Sequence, residues 1–450
     1  MVTPPTSLRK FFIIWVGQLA STLGSTMTTF ALTLWAWEAT GQATPLSLLF
    51  FFTYTPKVIA AVFAGVIVDR FPRKYLIMLG DTVAGMATLV LLLLFLTGHL
   101  QIWHLYIAGA ISGLSDYLQR LAYSASMTAI VPQRHYARAT ALRAYVTNSG
   151  SEILGPALAG LLYTAIGLGG ILTLDIVTFL IAVGTVGIVT IPQQTPAKDP
   201  EEQHLWQELT FGFRYIFARP SLLAILIFLL SINLVGNAGG AIFPAMILAR
   251  SGDSAAILAT VQAATGIGGI TGAVVLSLWG GPKRRIHGLL LGQTLARISG
   301  IILGLGRLPW IWVTAGLGRA FFAPFLGSSN QAIWLSKVDP AVQGKVFSAR
   351  YLIAQITSPL GLAIAGPLAD YVFEPAMQPS GGLAGVLGGI FGTGEGSGMA
   401  LQYTLFSLLG SAVGLGGYFF PILRDVEKIV PDYQTTQFPE YDKSGITSEK

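Results

Sequence analysis

An all-α polytopic membrane protein, with twelve transmembrane helices in two pseudo-symmetric six-helix bundles, is the fold class this sequence predicts, on three observations. Hydrophobic residues make up 53% of the chain and charged ones only 11%, against about 25% charged in an average soluble domain, so most of the surface cannot face water. The apolar residues fall into separate runs of about 20 residues, the length a helix needs to cross the hydrocarbon core, without the alternation of barrel strands. The two halves of the chain also resemble each other where loops meet helices.

Apolar runs bounded by charged residues or Gly/Pro turns place the helices in order. The first, 11–37, follows Arg9 and Lys10 as a signal peptide's apolar region would, but is too long for one and leads to no cleavage pattern. Five more are predicted at 44–68, 75–97, 101–130, 141–166 and 170–191, which completes an N-terminal bundle over 1–191. A cytoplasmic linker follows at 192–220. Within it Leu205, Trp206, Leu209, Phe213, Ile216 and Phe217 recur at helical spacing, with Glu201, Glu202 and Arg214 on other faces. This is an amphipathic helix, lying on the membrane surface or packed on protein. The C-terminal bundle, 221–423, takes helices at 221–245, 255–279, 287–306, 309–336, 346–371 and 400–423. Its Gly-rich stretch 381–398 is expected as a flexible external loop, and 424–450 as a disordered polar cytoplasmic tail.

The repeat shows in the loops. VPQRHYARATALRAY, with Arg143 leading to Gly155 and Gly160, matches VDPAVQGKVFSARY, with Arg350 leading to Gly361 and Gly366, and DRFPRK has a reduced counterpart in GPKRR.

The formal charge of +6 could suggest nucleic acid, so placement matters more than the sum. With a cytoplasmic N-terminus, all Lys and Arg fall in cytoplasmic loops and ends except Arg250 and Arg307, in external loops, and Lys57, Arg120, Arg297 and Arg319, inside helices. That is the positive-inside pattern of a cell inner-membrane protein with both termini cytoplasmic; no nucleic-acid partner is expected. The chain has no Cys, which removes disulfides, thiolate metal sites and thiol catalysis. Its five His show no metal spacing, and the Gly-rich 381–398 lacks the Lys-Ser/Thr of a phosphate loop. No metal, no cofactor and no enzymatic activity are expected.

Two motifs carry a resemblance. Gly65-Val-Ile-Val-Asp69-Arg70-Phe71-Pro72-Arg73-Lys74, between the second and third helices, resembles the Gly-x-x-x-Asp-Arg-x-Gly-Arg-Arg/Lys signature of the major facilitator superfamily, with Pro72 in place of Gly. Gly65 would let its helix approach a neighbour closely, and Asp69 would meet the N-terminal dipole of a helix across the interface between halves. Arg70, Arg73 and Lys74 would pair with acidic groups or lipid phosphates. Together they would form a conformational gate. In the fifth helix, Ser151-Glu152-Ile153-Leu154-Gly155-Pro156-Ala157-Leu158-Ala159-Gly160 resembles the exporter signature Gly-x-x-x-Gly-Pro-x-x-Gly-Gly, with Ser and Ala at two Gly positions. Gly155, Pro156 and Gly160 read as a packing motif, small residues permitting close helices and Pro kinking one. These features, the DIVTFL stretch from Asp175 and the linker segment resemble the branch of drug:proton antiporters containing macrolide-efflux proteins and the enterobactin exporter. The resemblance implies efflux of a small amphiphilic molecule, with protons as the coupling ion; a monomer working by alternating access is expected. An importer, a lipid flippase or a non-transporting membrane sensor are the alternatives. The Arg common in the fourth helix of such antiporters is missing from LYIAGAISG.

Charged side chains inside a membrane helix are costly and default to functional candidates. Lys57, Asp116, Arg120, Glu152, Arg297 and Arg319 occupy such positions. Asp116 and Arg120 lie four apart and share a face. Glu152 is the first candidate for carrying a coupling proton, followed by Asp116 with Arg120. Four cations against two acids also suit an anionic substrate group. Polar stripes, Gln18, Thr22, Ser25, Thr26 and Thr29 on the first helix and Asn233 and Asn237 on the seventh, are kept from lipid and so face a central space. Gln18, Thr22, Thr26, Asn233, Asn237 and Arg319 are the candidates for a substrate cavity.

Overall fold

The computed structural model describes residues 8–61, 63–191 and 202–433. Among these residues the fold is helical, with no strand. Before the linker run α1 (Arg9–Thr40), α2 (Ala43–Ala60), α3 (Ala64–Arg70), α4 (Arg73–Leu96), α5 (Ile102–Ile130), α6 (Tyr136–Ala141) and α7 (Gly150–Ile188). The linker contributes α8 (Glu202–Phe217). After it come α9 (Pro220–Gly240), α10 (Phe243–Ser251), α11 (Ala255–Trp279), α12 (Arg285–Leu305), α13 (Pro309–Phe321), α14 (Ala323–Lys337), α15 (Gln343–Gln355), α16 (Ser358–Leu368), α17 (Glu374–Met377), α18 (Ala384–Phe391) and α19 (Ser397–Gly416).

By length and composition, 7 of these helical stretches can cross a membrane: α4, α7, α11, α12, α19, and the continuous runs Pro220–Ser251 and Gln343–Met377. The α7 stretch contains a turn, because Gly167 takes φ 62 and ψ −172, a conformation open to glycine. That turn separates the helices predicted at 141–166 and 170–191. Elsewhere single predicted helices are broken in two. Pro244, Pro324 and Pro359 stand at the first positions of α10, α14 and α16, where the missing N–H and the ring's clash with the preceding turn interrupt the ladder.

α1 packs along both arms of α7, α5 lies against α2 and α4, and after the linker α12 packs on α13, α14 and α19 while α9 packs on α16 and α19. Across the linker, α7 meets α11 and α2 meets α16. Small residues set these approaches. A Cβ on Gly155 would fall 2.2 Å from Thr26 Oγ1 of α1, and one on Gly160 would fall 2.6 Å from Ala259 Cβ of α11.

The apolar cores are distributed unevenly between the two ends of the molecule. Away from the termini, one core takes side chains from both sides of the linker, among them Phe30, Trp37, Leu46, Leu168, Met246, Leu258, Trp312 and Met399. At the end carrying the termini the described residues form two separate cores. One holds Phe11, Ile14, Val68, Ile77 and Val186; the other holds Ile216, Leu226, Ile286, Trp334 and Val346. Polar contacts reinforce the shared end. Asp370 accepts from the backbone N–H of Ala43 at 2.9 Å and of Thr44 at 2.7 Å, so a carboxylate from beyond the linker caps the N-terminus of α2, where the helix dipole favours it. Ser47 Oγ accepts from Gly366 N at 3.1 Å, and Trp37 Nε1 donates to Asp253 Oδ1 at 2.7 Å.

Of three peripheral segments, the linker helix takes one of the two expected arrangements, and the Gly-rich stretch and the tail differ from expectation. In α8, Gly212 lies so close to α15 that a Cβ would fall 2.4 Å from Lys345 O, and Ile216 is buried, so this part of the linker helix is packed on protein. The side chains of Leu205, Trp206 and Leu209 lie outside the described residues. The Gly-rich 381–398 contains the helix α18, whose last carbonyls receive Arg307 Nη2, 2.9 Å from Gly389 O and 2.6 Å from Ile390 O. Arginine at a helix C-terminus satisfies orphan carbonyls and opposes the dipole, which is why a stretch rich in Gly is ordered there. The tail is also tied down as far as Tyr433, whose N–H donates to Ser336 O at 2.7 Å. Glu427 Oε2 accepts from Ile286 N at 3.1 Å at the start of α12, and the buried Lys337 donates to Glu427 O at 2.9 Å and pairs with Asp432 at 2.8 Å.

Candidate functional site

A cavity of about 930 Å³ lies between the helices that precede and follow the linker. α1 contributes Thr26, Thr29, Phe30 and Thr33; α2 contributes Phe50, Thr53, Tyr54 and Lys57; α7 contributes Glu152 and Pro156. The opposite wall includes Asn237, Phe243, Gln262, Thr265, Gly269, Arg319 and Leu362. Aromatic faces and a few polar groups on one concave surface are the usual make-up of a small-molecule site. The α1 threonines bond back to their own helix, Thr26 Oγ1 to Thr22 O at 3.0 Å and Thr33 Oγ1 to Thr29 O at 2.8 Å. Their protons are committed, and their oxygens remain acceptors. Tyr54 Oη donates to Gln355 Oε1 at 2.8 Å and so links α2 to α15 across the cavity's edge.

The charged groups divide by wall. Lys57 Nζ lies 3.1 Å from Asp116 Oδ2, and Arg120 Nε lies 2.7 Å from Asp116 Oδ1. Asp116 is thus held between two cations. Arg143 Nη2 donates to Arg120 O at 3.0 Å, extending the cluster to the segment after α5. Glu152 is exposed to the cavity and has no ion-pair or hydrogen-bond partner among the described residues. Across from it stands Arg319, whose Nε is buried without a hydrogen-bond partner.

Of the other predicted cavity residues, Asn237 lines the space and Asn233 donates instead to Ala354 O at 2.6 Å. Gln18 and Thr22 are not in the wall. Gln18 Nε2 donates to Asp81 Oδ2 at 2.7 Å, Gln119 Nε2 donates to Asp81 Oδ1 at 3.2 Å, and Gln119 also bonds Gln18. The stripe on α1 therefore divides, one part facing the cavity and the other joining α4 and α5.

In the gate motif, Arg73 Nη1 donates to Ala125 O at 2.7 Å and Lys74 Nζ to Gly187 O at 2.7 Å. Arg70 is exposed. The side chain of Asp69 lies outside the described residues. Among the described residues, no atom lies within 4 Å of where a Cβ on Gly65 would be, so the close approach expected there is not made by them.

The repeat seen in the loops has a structural counterpart. Arg143 lies over the ring of Tyr123 on α5, 5.0 Å from its centroid, and Arg350 lies over the ring of Trp334 on α14 at 5.4 Å. The equivalent arginine in each half thus stacks on the helix before it.

With this geometry in view, the sequence profile described as the Major Facilitator Superfamily matches residues 14–362. The chain belongs to this superfamily. It is 26% identical over 368 residues to macrolide efflux protein A of Streptococcus pyogenes, covering 81% of this chain and 90% of that protein. It is 23% identical over 377 residues to the multidrug efflux pump Tap of Mycolicibacterium fortuitum, with coverage of 81% and 90%. Among solved structures, a POT family transporter in complex with a thioalcohol-conjugated peptide aligns with TM-score 0.67 and 13% identity over 94% of this chain and 97% of that one. A bacterial homologue of the human lysosomal transporter Spinster, inward-facing and unoccupied, aligns with TM-score 0.61 and 17% identity over 90% and 94%. As a superfamily member, the chain is a multi-pass membrane transporter of a small molecule and not an enzyme.

Sequence reasoning passed over two buried carboxylates of this superfamily member. Asp81 is 8% exposed and Asp175 is 5% exposed. Asp175 accepts from Thr88 at 2.9 Å and Ser25 at 3.3 Å. The signal that could have found them was an acid inside an apolar run, in IMLGDTVAG and in LTLDIVTFL.

Proposed function

We propose that this chain exports a small amphiphilic molecule, such as a drug, siderophore or other natural product, from the cytoplasm by alternating access coupled to proton antiport. One observation carries the reading. The cavity lies between the two parts of the chain, which share a core at one end and have separate cores at the other. A central site closed on one side only is what alternating access requires. The efflux relatives support the direction.

In this reading, residues 1–191 and 221–423 are the two rocking bundles, 192–220 is the cytoplasmic linker, and the cell inner membrane holds the protein with both termini in the cytoplasm. The open end is then cytoplasmic. Thr26, Asn237 and Arg319 meet substrate, and Glu152 carries the proton. Asp116 with Arg120 is the second coupling candidate, already neutralised by its pairs. Gly65, Asp69, Arg70, Arg73 and Lys74 form the cytoplasmic gate, and Gly155, Pro156 and Gly160 provide the packing that lets the bundles pivot. The protein works as a monomer.

Comparing metabolites in cells with and without the protein supplies candidate substrates, which proteoliposomes with an imposed proton gradient then test. Uphill movement of one candidate against the proton flow is expected. Failure of any candidate to move in either direction contradicts transport, and movement with the proton flow contradicts export.

A further inference from the structure

We propose that the cavity selects an amphiphile carrying an anionic group, a carboxylate, sulfonate or phosphate, and that Arg319 is the residue that meets it. The inference rests on the cavity being the substrate site and adds the chemical class of the substrate.

Charge is unevenly divided between the two walls. Before the linker, Lys57 and Arg120 are joined through Asp116, Arg143 bonds Arg120 O and lies over the Tyr123 ring, and Glu152 lines the cavity. The cations on that side are already engaged. Beyond the linker, Arg319 lines the cavity, and Arg297 lies behind it on α12. A Cβ on Gly236 would fall 2.4 Å from Arg297 Nη2, and one on Gly410 3.0 Å from its Cδ. Two glycines therefore make room for an arginine between helices. From Ala255 to Lys337, the stretch holding both arginines, the sequence has no Asp or Glu. The acids of 221–423 are Asp253, Asp339, Asp370, Glu374 and Glu395. Asp253, Asp339 and Glu395 sit in loops, Asp370 is committed to the start of α2, and Glu374 accepts from Met399 N at 2.7 Å.

Cations in a membrane interior are costly unless they meet an opposite charge. Neither Arg297 nor Arg319 has an ion-pair partner among the described residues, and Arg319 Nε is buried without a hydrogen-bond acceptor. A guanidinium presents a planar fork of donors that fits carboxylate and phosphate oxygens. Phe30, Phe50 and Phe243 supply surfaces for an apolar body beside that fork. Glu152, on the facing wall, disfavours a second negative charge, so one anionic group per substrate is the fit.

The test uses two probes sharing an aryl-naphthylamine frame, the anionic 8-anilinonaphthalene-1-sulfonate and the neutral N-phenyl-1-naphthylamine, titrated by fluorescence into the full chain in nanodiscs, with empty nanodiscs subtracted. Wild type is expected to bind the anion more tightly than the neutral probe. Arg319→Gln should weaken the anion by about tenfold or more, a change worth about 1.4 kcal/mol, and leave the neutral probe within about twofold, while Arg319→Lys, which keeps the charge but loses the fork, should weaken the anion less than Arg319→Gln does. Neutral-probe binding also reports that the variants are folded. If Arg319→Gln leaves the anion unaffected, or weakens both probes alike, the charge proposal fails. Gly269→Trp separates this from failure of the cavity reading, because Gly269 lines the cavity with open space in front of it. Loss of both probes in that variant keeps the cavity as the site, and loss of neither removes it.

Discussion

Asp81 sits inside the membrane part of the fold with two carboxamides for company, Gln18 from α1 and Gln119 from α5. The arrangement is a buried network that holds three helices, and its members have no water to turn to. Asp81→Ala strips both amides of an acceptor. It should cost about 1–3 kcal/mol for each group left unsatisfied and lower the thermal unfolding midpoint in detergent, whereas Asp81→Asn, which keeps an acceptor, should cost less. Midpoints for both variants equal to that of the wild type would mean the network contributes nothing. Glu152 is the contrasting case, a cavity carboxyl without a hydrogen-bond or ion-pair partner among the described residues. Glu152→Gln mimics its protonated form, so it should bind substrate and still exchange it downhill while losing uphill transport, read in proteoliposomes. Normal pumping by this variant makes Glu152 a wall residue only. At this scale the sequence revealed the i,i+4 pair of Asp116 and Arg120, because spacing on one helix is enough to see it. Lys57 as the third member, and the partners of Asp81, required knowing which helices touch. Asp81 also lies only about two turns into α4, where an acid looks close enough to the helix end to reach water.

Single elements carry the contacts that fix the present state. The cap of α2 by Asp370 is local chemistry at a helix N-terminus, yet it joins parts of the chain on opposite sides of the linker. The tail is another such device. Hydrogen bonding and charge from Lys337 hold the Asp432 carboxyl below its usual range, and Arg424, then Arg284, do the same for Asp425. A carboxyl whose folded pKa is depressed contributes stability above its unfolded value, and that stability is lost as pH falls through the folded value. Docking of the tail should therefore be complete at neutral pH and loosen only as pH drops below the ordinary carboxylate range of about 4. Hydrogen exchange of the Tyr433 amide, bonded to Ser336, measures it; release beginning near pH 6 would contradict these pairs. Helix existence and order were legible in the sequence because membrane helices declare themselves by length. The breaks before Pro244, Pro324 and Pro359 were present as prolines, but continuous apolarity on both sides concealed them. The order of α18 was hidden because Arg307, which caps it, lies far away in sequence.

At the scale of the whole molecule, composition alone pointed to a polytopic fold, since a chain with so few charges has no soluble alternative. The loop repeats pointed to two halves, and the paired stacking of Arg143 and Arg350 is their three-dimensional echo. Which end is closed could not be read from sequence, because both ends of a transporter must be able to close. The answer came from which apolar side chains share a core. Asp69, in the proposed gate motif at the end of α3, lies at the end with separate cores, and Asp370, just after α16, lies at the joined end, so in the alternating-access reading the two acids should favour opposite states.

The most direct measurement of alternating access is a pair of distances in one protein. The chain has no Cys, so spin labels can be placed at His99 and Leu308 on the joined end, and at Phe71 and Ala341 on the other, and read by double electron–electron resonance in nanodiscs. Wild type should show a short His99–Leu308 distance and a long Phe71–Ala341 distance. Asp370→Asn weakens a charge-assisted cap of about 1.5–3 kcal/mol and should populate a state in which the first distance lengthens and the second shortens. Two distances that lengthen together, or a variant indistinguishable from wild type at both pairs, would contradict the account.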